Sequence, residues 1–261
     1  MDEVIAANLE QFADGADVAR YLATPYHARR VAAGVELLLA TLGRRSDRPV
    51  VADLGAGSAT AARLLRESGV QAVMVDLADL ADRTAAADFA NRTAAAASAD
   101  GSSGSVPLVR ADLTRPLPFR TGSLDGIFAG EVVEHLFDPV SFLTECRRVL
   151  APGGSIVVTT PNLAALTDRI RFLAGHSPRQ VDVLHPYLCL HIRPFTYRSL
   201  ARTLGAGGFV PTGLRSNYLQ LGRGRIAVSS RILARVFPSL GGSLIVAAVS
   251  GPPPPVVPPR R

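Results

Sequence analysis

The sequence predicts an α/β protein built on a doubly wound, mostly parallel sheet, and three observations predict it. Its strand candidates are short and continuously apolar, the mark of strands buried on both faces. Helical periodicity separates them, as crossover connections require. The first strand candidate ends in a glycine turn, Gly55-Ala56-Gly57, that opens a helix. Such a turn brings free N–H groups and the positive end of a helix to a ligand at the strand's carboxyl end.

The elements follow in order. Residues 1–48 read as a helical lid, with Val31, Val35, Leu38, Leu39 and Leu42 at helical spacing and Gly43 placed as a C-cap. Pro49–Leu54 is a strand and Ser58–Glu67 a helix; Gln71–Asp76 is the next strand, closed by an acid. Residues 78–105 are rich in Ala, Ser and Gly and read as an Ala-rich helix followed by a loop. Val106–Asp112 and Gly126–Gly130 are further strands. Asp138-Pro139 opens a helix with Asp as N-cap, ended by Pro152-Gly153-Gly154 ahead of the strand Ser155–Thr160. Thr196 caps a helix running through Leu204; a strand at Val210–Tyr218, a helix near 225–237 and a last strand at Leu244–Val249 complete the pattern.

With 48% hydrophobic and 19% charged residues in 261, the chain has material for a sizeable core, which excludes a mainly disordered or fibrous protein. A single domain is expected over 1–251: a lid at 1–48, a cofactor-binding core at 49–160 and a substrate cover at 161–225. A proline-rich basic tail fills 252–261. No apolar run reaches the ~18 residues of a membrane span, and the acidic start Met1-Asp2-Glu3 does not read as a secretory leader. Two cysteines, Cys146 and Cys189, suit a reducing cytoplasm.

Every basic residue is arginine, which excludes a P-loop and lysine Schiff-base chemistry. Up to Asp168 there are 15 Arg against 21 acids; from Arg169 onward, 13 Arg face Asp182 alone. A basic last third would attract an anionic partner: a phosphorylated or carrier-bound substrate, an acidic membrane surface or nucleic acid.

The glycine turn gains meaning from two acids. Asp76 ends the second strand, placed to accept hydrogen bonds from a ribose diol. Asp53, two residues before Gly55, would repel a pyrophosphate but suits a cationic amino group. That favours S-adenosylmethionine over a dinucleotide.

Later motifs occur in matching order: Ala111-Asp112-Leu113, Leu117-Pro118-Phe119, Leu124-Asp125, Glu131-Val132-Val133-Glu134-His135-Leu136 and Leu150-Ala151-Pro152-Gly153-Gly154-Ser155. With the glycine turn, this resembles the class I S-adenosylmethionine-dependent methyltransferases, in particular the broad group that includes the ubiquinone-biosynthesis O-methyltransferases. The resemblance covers Pro49–Asn162 and continues more loosely to Val249. It implies a Rossmann-like, seven-stranded sheet with an antiparallel last strand. It also implies a site in which Asp53, Gly55, Ala56, Gly57, Asp76, Leu77, Asp112, Leu113 and Glu131 hold the cofactor. In that site Asp76 meets the ribose, Asp112 the adenine amine, and Glu131 begins the segment facing the sulfonium. Asp125 reads as shaping its turn, and the long 78–105 stretch departs from the family pattern.

Methyl transfer from a sulfonium rests on positioning, with a base needed only for a hydroxyl or protonated amine acceptor. His135 is the candidate base, against the alternative that it packs within its own turn. Tyr21, Tyr26, His185, His191 and Arg193 are candidates for the acceptor pocket. Glu131, Glu134, His135 and His191 match a pattern that some relatives, including RNA 3′-terminal 2′-O-methyltransferases, use to hold a divalent ion. Glu131 and His135 would share a face if the turn is helical. Small-molecule methyltransferases carry the same pattern without metal, and none is expected here.

A small-molecule O- or N-methyltransferase is the favoured reading. An RNA 2′-O-methyltransferase lacks support from basic–aromatic interleaving. A membrane-associated quinone or lipid enzyme would rest the helix carrying Ile226, Ile232, Leu233, Val236 and Phe237 on an anionic surface, but packing on the sheet explains that face equally well and is the default expectation. A catalytically inactive binding scaffold is opposed by the intact glycine turn and its two acids.

Overall fold

The computed structural model describes residues 24–42, 48–57, 59–77, 106–181, 191–221 and 228–251. The strands are β1 (Val50–Leu54), β2 (Gln71–Asp76), β3 (Leu108–Arg110), β4 (Leu124–Gly130), β5 (Leu150–Pro161), β6 (Phe209–Arg215), β7 (Leu219–Leu221), β8 (Val228–Ser230) and β9 (Ser243–Ser250). Seven of them form one sheet in the order β3-β2-β1-β4-β5-β9-β6; β7 and β8 pair separately. Neighbours from β3 through β5 run parallel, and β9 inserts antiparallel between β5 and β6. The expected antiparallel last strand is therefore present.

Alternation of side chains across the strands supplies two cores. Val51, Phe128, Val157 and Ile245 face α1 (Pro25–Leu42) and α2 (Thr60–Glu67). Ala52, Ile127, Ile156, Val158 and Val246 face α3 (Pro139–Val149) and α5 (Tyr197–Ala206). Two short helices, α4 (Leu166–Leu173) and α6 (Arg231–Val236), lie outside both layers. The sheet is apolar on both faces because both are covered.

The expected caps form. Asp138 Oδ1 accepts the Ser141 N–H at 3.0 Å ahead of α3, and Thr196 and Ser199 cap α5 reciprocally. Asp125 Oδ2 accepts the Val50 N–H at 2.8 Å, tying the start of β1 to β4.

Two expectations are corrected, and a third is made specific. Residues 25–42, the described part of the segment expected as a lid, lie against the sheet, with Val31, Val35, Leu38 and Leu42 buried there. Gly34 allows that approach, since a Cβ there would meet Phe128 Cε2 at 2.7 Å. Near its start α1 reaches the carboxyl-end rim, where Arg30 meets Glu131. Pro152-Gly153-Gly154 does not precede a strand but interrupts one: the β4–β5 register jumps from Leu124–Leu150 to Gly126–Ser155, with Gly153 at φ 72. The apolar face of the helix near 225–237 is not packed on the sheet; α6 buries Ala234 alone.

Gly43, the Ala-rich stretch, Ile226 and the tail lie outside the described residues. Among those described, no helix is long and apolar enough to cross a membrane.

Candidate active site

The glycine turn is clamped from two sides. Gly55 (φ 70) donates its N–H to Val75 O at 2.8 Å, and Ala56 N–H follows at 3.3 Å. A Cβ on Gly55 would lie 2.7 Å from Val132 Cγ2, so the turn presses against the segment after β4. Gly57 (φ 43) donates to Asp76 Oδ2 at 2.9 Å. Leu113 approaches the same turn, and the Leu77 carbonyl accepts from Arg110 Nε at 3.0 Å.

Asp53 sits behind this turn, 3% exposed, with Oδ2 accepting the Ala62 N–H of α2 at 3.1 Å. Burial pushes its carboxyl up to about 7, against the pull of the Ala62 hydrogen bond and with help from the Asp76 charge. Asp112, expected to meet an adenine amine, is folded onto its own turn. Its Oδ1 accepts from Thr114 N at 2.8 Å and Thr114 Oγ1 at 2.7 Å, and Arg115 lies 3.5 Å from Oδ2. Slight burial works upward on this carboxyl, but those partners hold it below the usual range.

The rim after β4 holds the acids and histidines. Glu131 adopts a left-handed backbone (φ 57), fixed by its N–H on Thr159 O at 2.9 Å. Its Oε2 lies 2.8 Å from Arg30 Nη1, and its Oε1 accepts from Thr159 Oγ1 at 3.3 Å. Arg30 is itself buried and reaches His27 Nδ1 at 2.9 Å. Burial, then the Arg30 charge, lowers the His27 imidazole to about 3. Burial raises Glu131 despite Arg30 and Thr159.

The left-handed residue and a tight 3-10 turn at Val133–His135 separate the pair expected to share a helical face. Glu131 meets α1, whereas His135 meets His191, ring centroids 4.9 Å apart at 71°. Glu134 is fully buried beside Thr160 with neither oxygen in a well-formed hydrogen bond. Burial, reinforced by Glu131, raises its carboxyl well above the usual range. One ligand atom from each of Glu134, His135 and His191 falls within 4.8 Å of the others. That donor set, with a carboxyl buried beside Thr160 and Glu131, could hold a divalent cation, which the sequence reading did not expect. Glu131, fourth in the implied set, is engaged by Arg30.

The acceptor candidates divide. Tyr26 is half-buried, its hydroxyl 2.7 Å from Ser243 Oγ and its ring stacked on Tyr218 at 6.1 Å. Asn217 Oδ1 accepts from Ser243 N at 3.2 Å beneath them. Arg193 serves the turn instead: its N–H donates to Glu134 O and its Nη2 to Phe137 O, both at 3.0 Å. This fastens the 191–195 segment and sets His191 beside His135. Tyr21 and His185 lie outside the described residues.

Sequence reasoning missed Arg30, Asn217 and Ser243. Arg30 lies four residues after Tyr26 on one helix, a spacing that places both on the same face.

The fold is a doubly wound α/β sheet with a glycine turn at the carboxyl end of its first strand. Residues 52–158 match the family model described as a methyltransferase domain. Over this stretch the chain is similar to S-adenosylmethionine-dependent methyltransferases. A probable S-adenosylmethionine-dependent methyltransferase of Mycolicibacterium smegmatis is 38% identical over 93 residues, 36% of this chain and 31% of that protein. The chain spans about a third of the length of the first curated relatives it matches. Among solved structures, the 1,6-didemethyltoxoflavin-N1-methyltransferase of Burkholderia thailandensis, with S-adenosylhomocysteine bound, superposes with a TM-score of 0.61 at 19% identity. It covers 96% of this chain and 90% of its own. A Haloferax volcanii methyltransferase, solved with the Trm112 activator, gives 0.61 at 16% identity over 93% and 97%. These two likenesses concern the fold.

Proposed function

We propose that the protein is an S-adenosylmethionine-dependent methyltransferase that moves a methyl group to an oxygen or nitrogen of a small-molecule metabolite. One observation carries this reading: Gly55 abuts Val132, so the donor-binding turn and the Glu131–His135 segment share one rim. Bound S-adenosylmethionine supplies a methyl carbon already activated by its sulfonium.

The chain's residues supply position. Gly55 and Gly57 bring backbone N–H groups close to the ligand, and Asp76 orients a ribose diol. Asp53 stiffens the turn from behind and offers its second oxygen to a cationic amino group. Leu77, Ala56 and Leu113 wall the nucleoside side, with Asp112 at its edge. Glu131, locked by Arg30, fixes the wall opposite the turn. His135 takes the acceptor's proton on a ring nitrogen while His191 steadies its ring. Tyr26 closes the pocket from α1, excluding water. The basic last third favours an anionic or carrier-bound acceptor.

The clustering of Glu134, His135 and His191 favours a second reading, in which these three hold a divalent cation that orients an acceptor oxygen. Chelation separates the two. In the first reading, turnover measured by transfer of labelled methyl survives EDTA. Loss of turnover reversed by Mn²⁺ would establish the second. Failure of the wild-type chain to bind S-adenosylmethionine or S-adenosylhomocysteine by calorimetry would overturn both.

A further inference from the structure

Two short helices present apolar side chains to solvent. On α4, Ile170, Phe172 and Leu173 are exposed, Leu173 by 85%; on α6 and just after it, Ile232, Val236 and Phe237 are exposed, Ile232 by 75%. Both helices pack against β7, which brings them together at one strand. Apolar groups gathered this way exceed the scatter of single exposed residues that soluble surfaces tolerate.

The charges around them have one sign. Arg169 and Arg171 stand on α4, and Arg231 and Arg235 on α6. The sole acid of either helix, Asp168, is buried and paired with Arg179 at 3.3 Å. Asp182 is the only acid from Arg169 to the end of the sequence. A protein partner matching this face would need both an apolar centre and an acidic rim. An anionic bilayer offers both at once, with acyl chains for the apolar tips and headgroups for the guanidinium groups.

We propose that α4 and α6 form a peripheral docking surface for anionic lipid. The proposal is independent of the methyl-transfer reading, since neither helix carries a residue assigned to the reaction.

The test is co-sedimentation of the full chain with vesicles of phosphatidylcholine alone or mixed with phosphatidylglycerol, at low and high salt. Binding to the mixed vesicles, weakened by salt and nearly absent on phosphatidylcholine, is expected. The Leu173→Ser/Ile232→Ser double variant and the Arg231→Gln/Arg235→Gln double variant should each weaken it by about tenfold or more, with the melting temperature unchanged. Equal sedimentation with both vesicle types, or none with either, would overturn the proposal. So would a lowered melting temperature in the serine variant, which would mean that the chain itself covers this face. A concentration-dependent dimer dispersed by the same variant would assign the face to a second copy and overturn it too.

Discussion

Arg30 Nη1 lies 2.8 Å from Glu131 Oε2, and both groups are largely withdrawn from water. This pair joins the second turn of α1 to the left-handed residue that follows β4. It makes the position of Glu131 a tertiary property rather than a local one. Removing one partner strands the other's charge, the costly case for buried pairs. Arg30→Ala is expected to destabilise the protein by about 3–5 kcal/mol in urea unfolding. Glu131→Gln in the same chain should recover much of that loss, and a strictly additive double variant would rule out the coupling.

Gly55 makes two demands at once, a positive φ and an absent side chain beside Val132. Gly55→Ala should cost about 2 kcal/mol or more of stability, with weakened S-adenosylmethionine affinity. Adding Val132→Ala relieves the clash but not the backbone strain, so recovery should be partial. Full recovery would show that φ at this position matters little.

Asp53 titrates near 7 in the folded chain and near 3.8 otherwise. Between those values the folded state keeps a proton that the unfolded state releases, so its contribution to stability falls as pH rises. The loss approaches about 4 kcal/mol across the window. Asp53→Asn keeps an acceptor for the Ala62 N–H and cannot ionise. Its stability relative to wild type should therefore climb from pH 4 to 7 and level off above; a constant difference would contradict the assignment.

His27 behaves in the opposite sense. Its folded imidazole stays neutral down to about pH 3, whereas the unfolded one gains a proton near 6.5. Stability from this group is complete above pH 6.5 and drains as pH falls toward 3, by up to about 1.4 kcal/mol per unit. His27→Gln should flatten that part of the acid unfolding curve. An unchanged slope would place the titration elsewhere.

The sheet was legible because Val50–Leu54, Gln71–Asp76 and Leu244–Val249 are apolar without alternation, which only two-sided burial explains. Local chemistry was legible as well: Asp138 and Thr196 cap the helices they begin. The glycine turn and its flanking acids emerged at the expected strand ends. Distant pairings were hidden, since nothing in Glu131-Val132-Val133 signals a left-handed residue or names Arg30 as its partner. An apolar helix face also reads identically whether it meets the sheet or solvent, which is why α6 was placed wrongly. Arg193 looked like a ligand residue because charge in a sequence does not reveal which carbonyls it will satisfy.

Calorimetric titration with S-adenosylmethionine, of the wild-type chain and of its Asp76→Ala and Asp53→Ala variants, bears most directly on the proposed site. The predicted result is a single site in the wild type, with affinity reduced about tenfold or more in each variant. Undiminished affinity in both variants would contradict the assignment of the glycine turn and its two acids to the methyl donor.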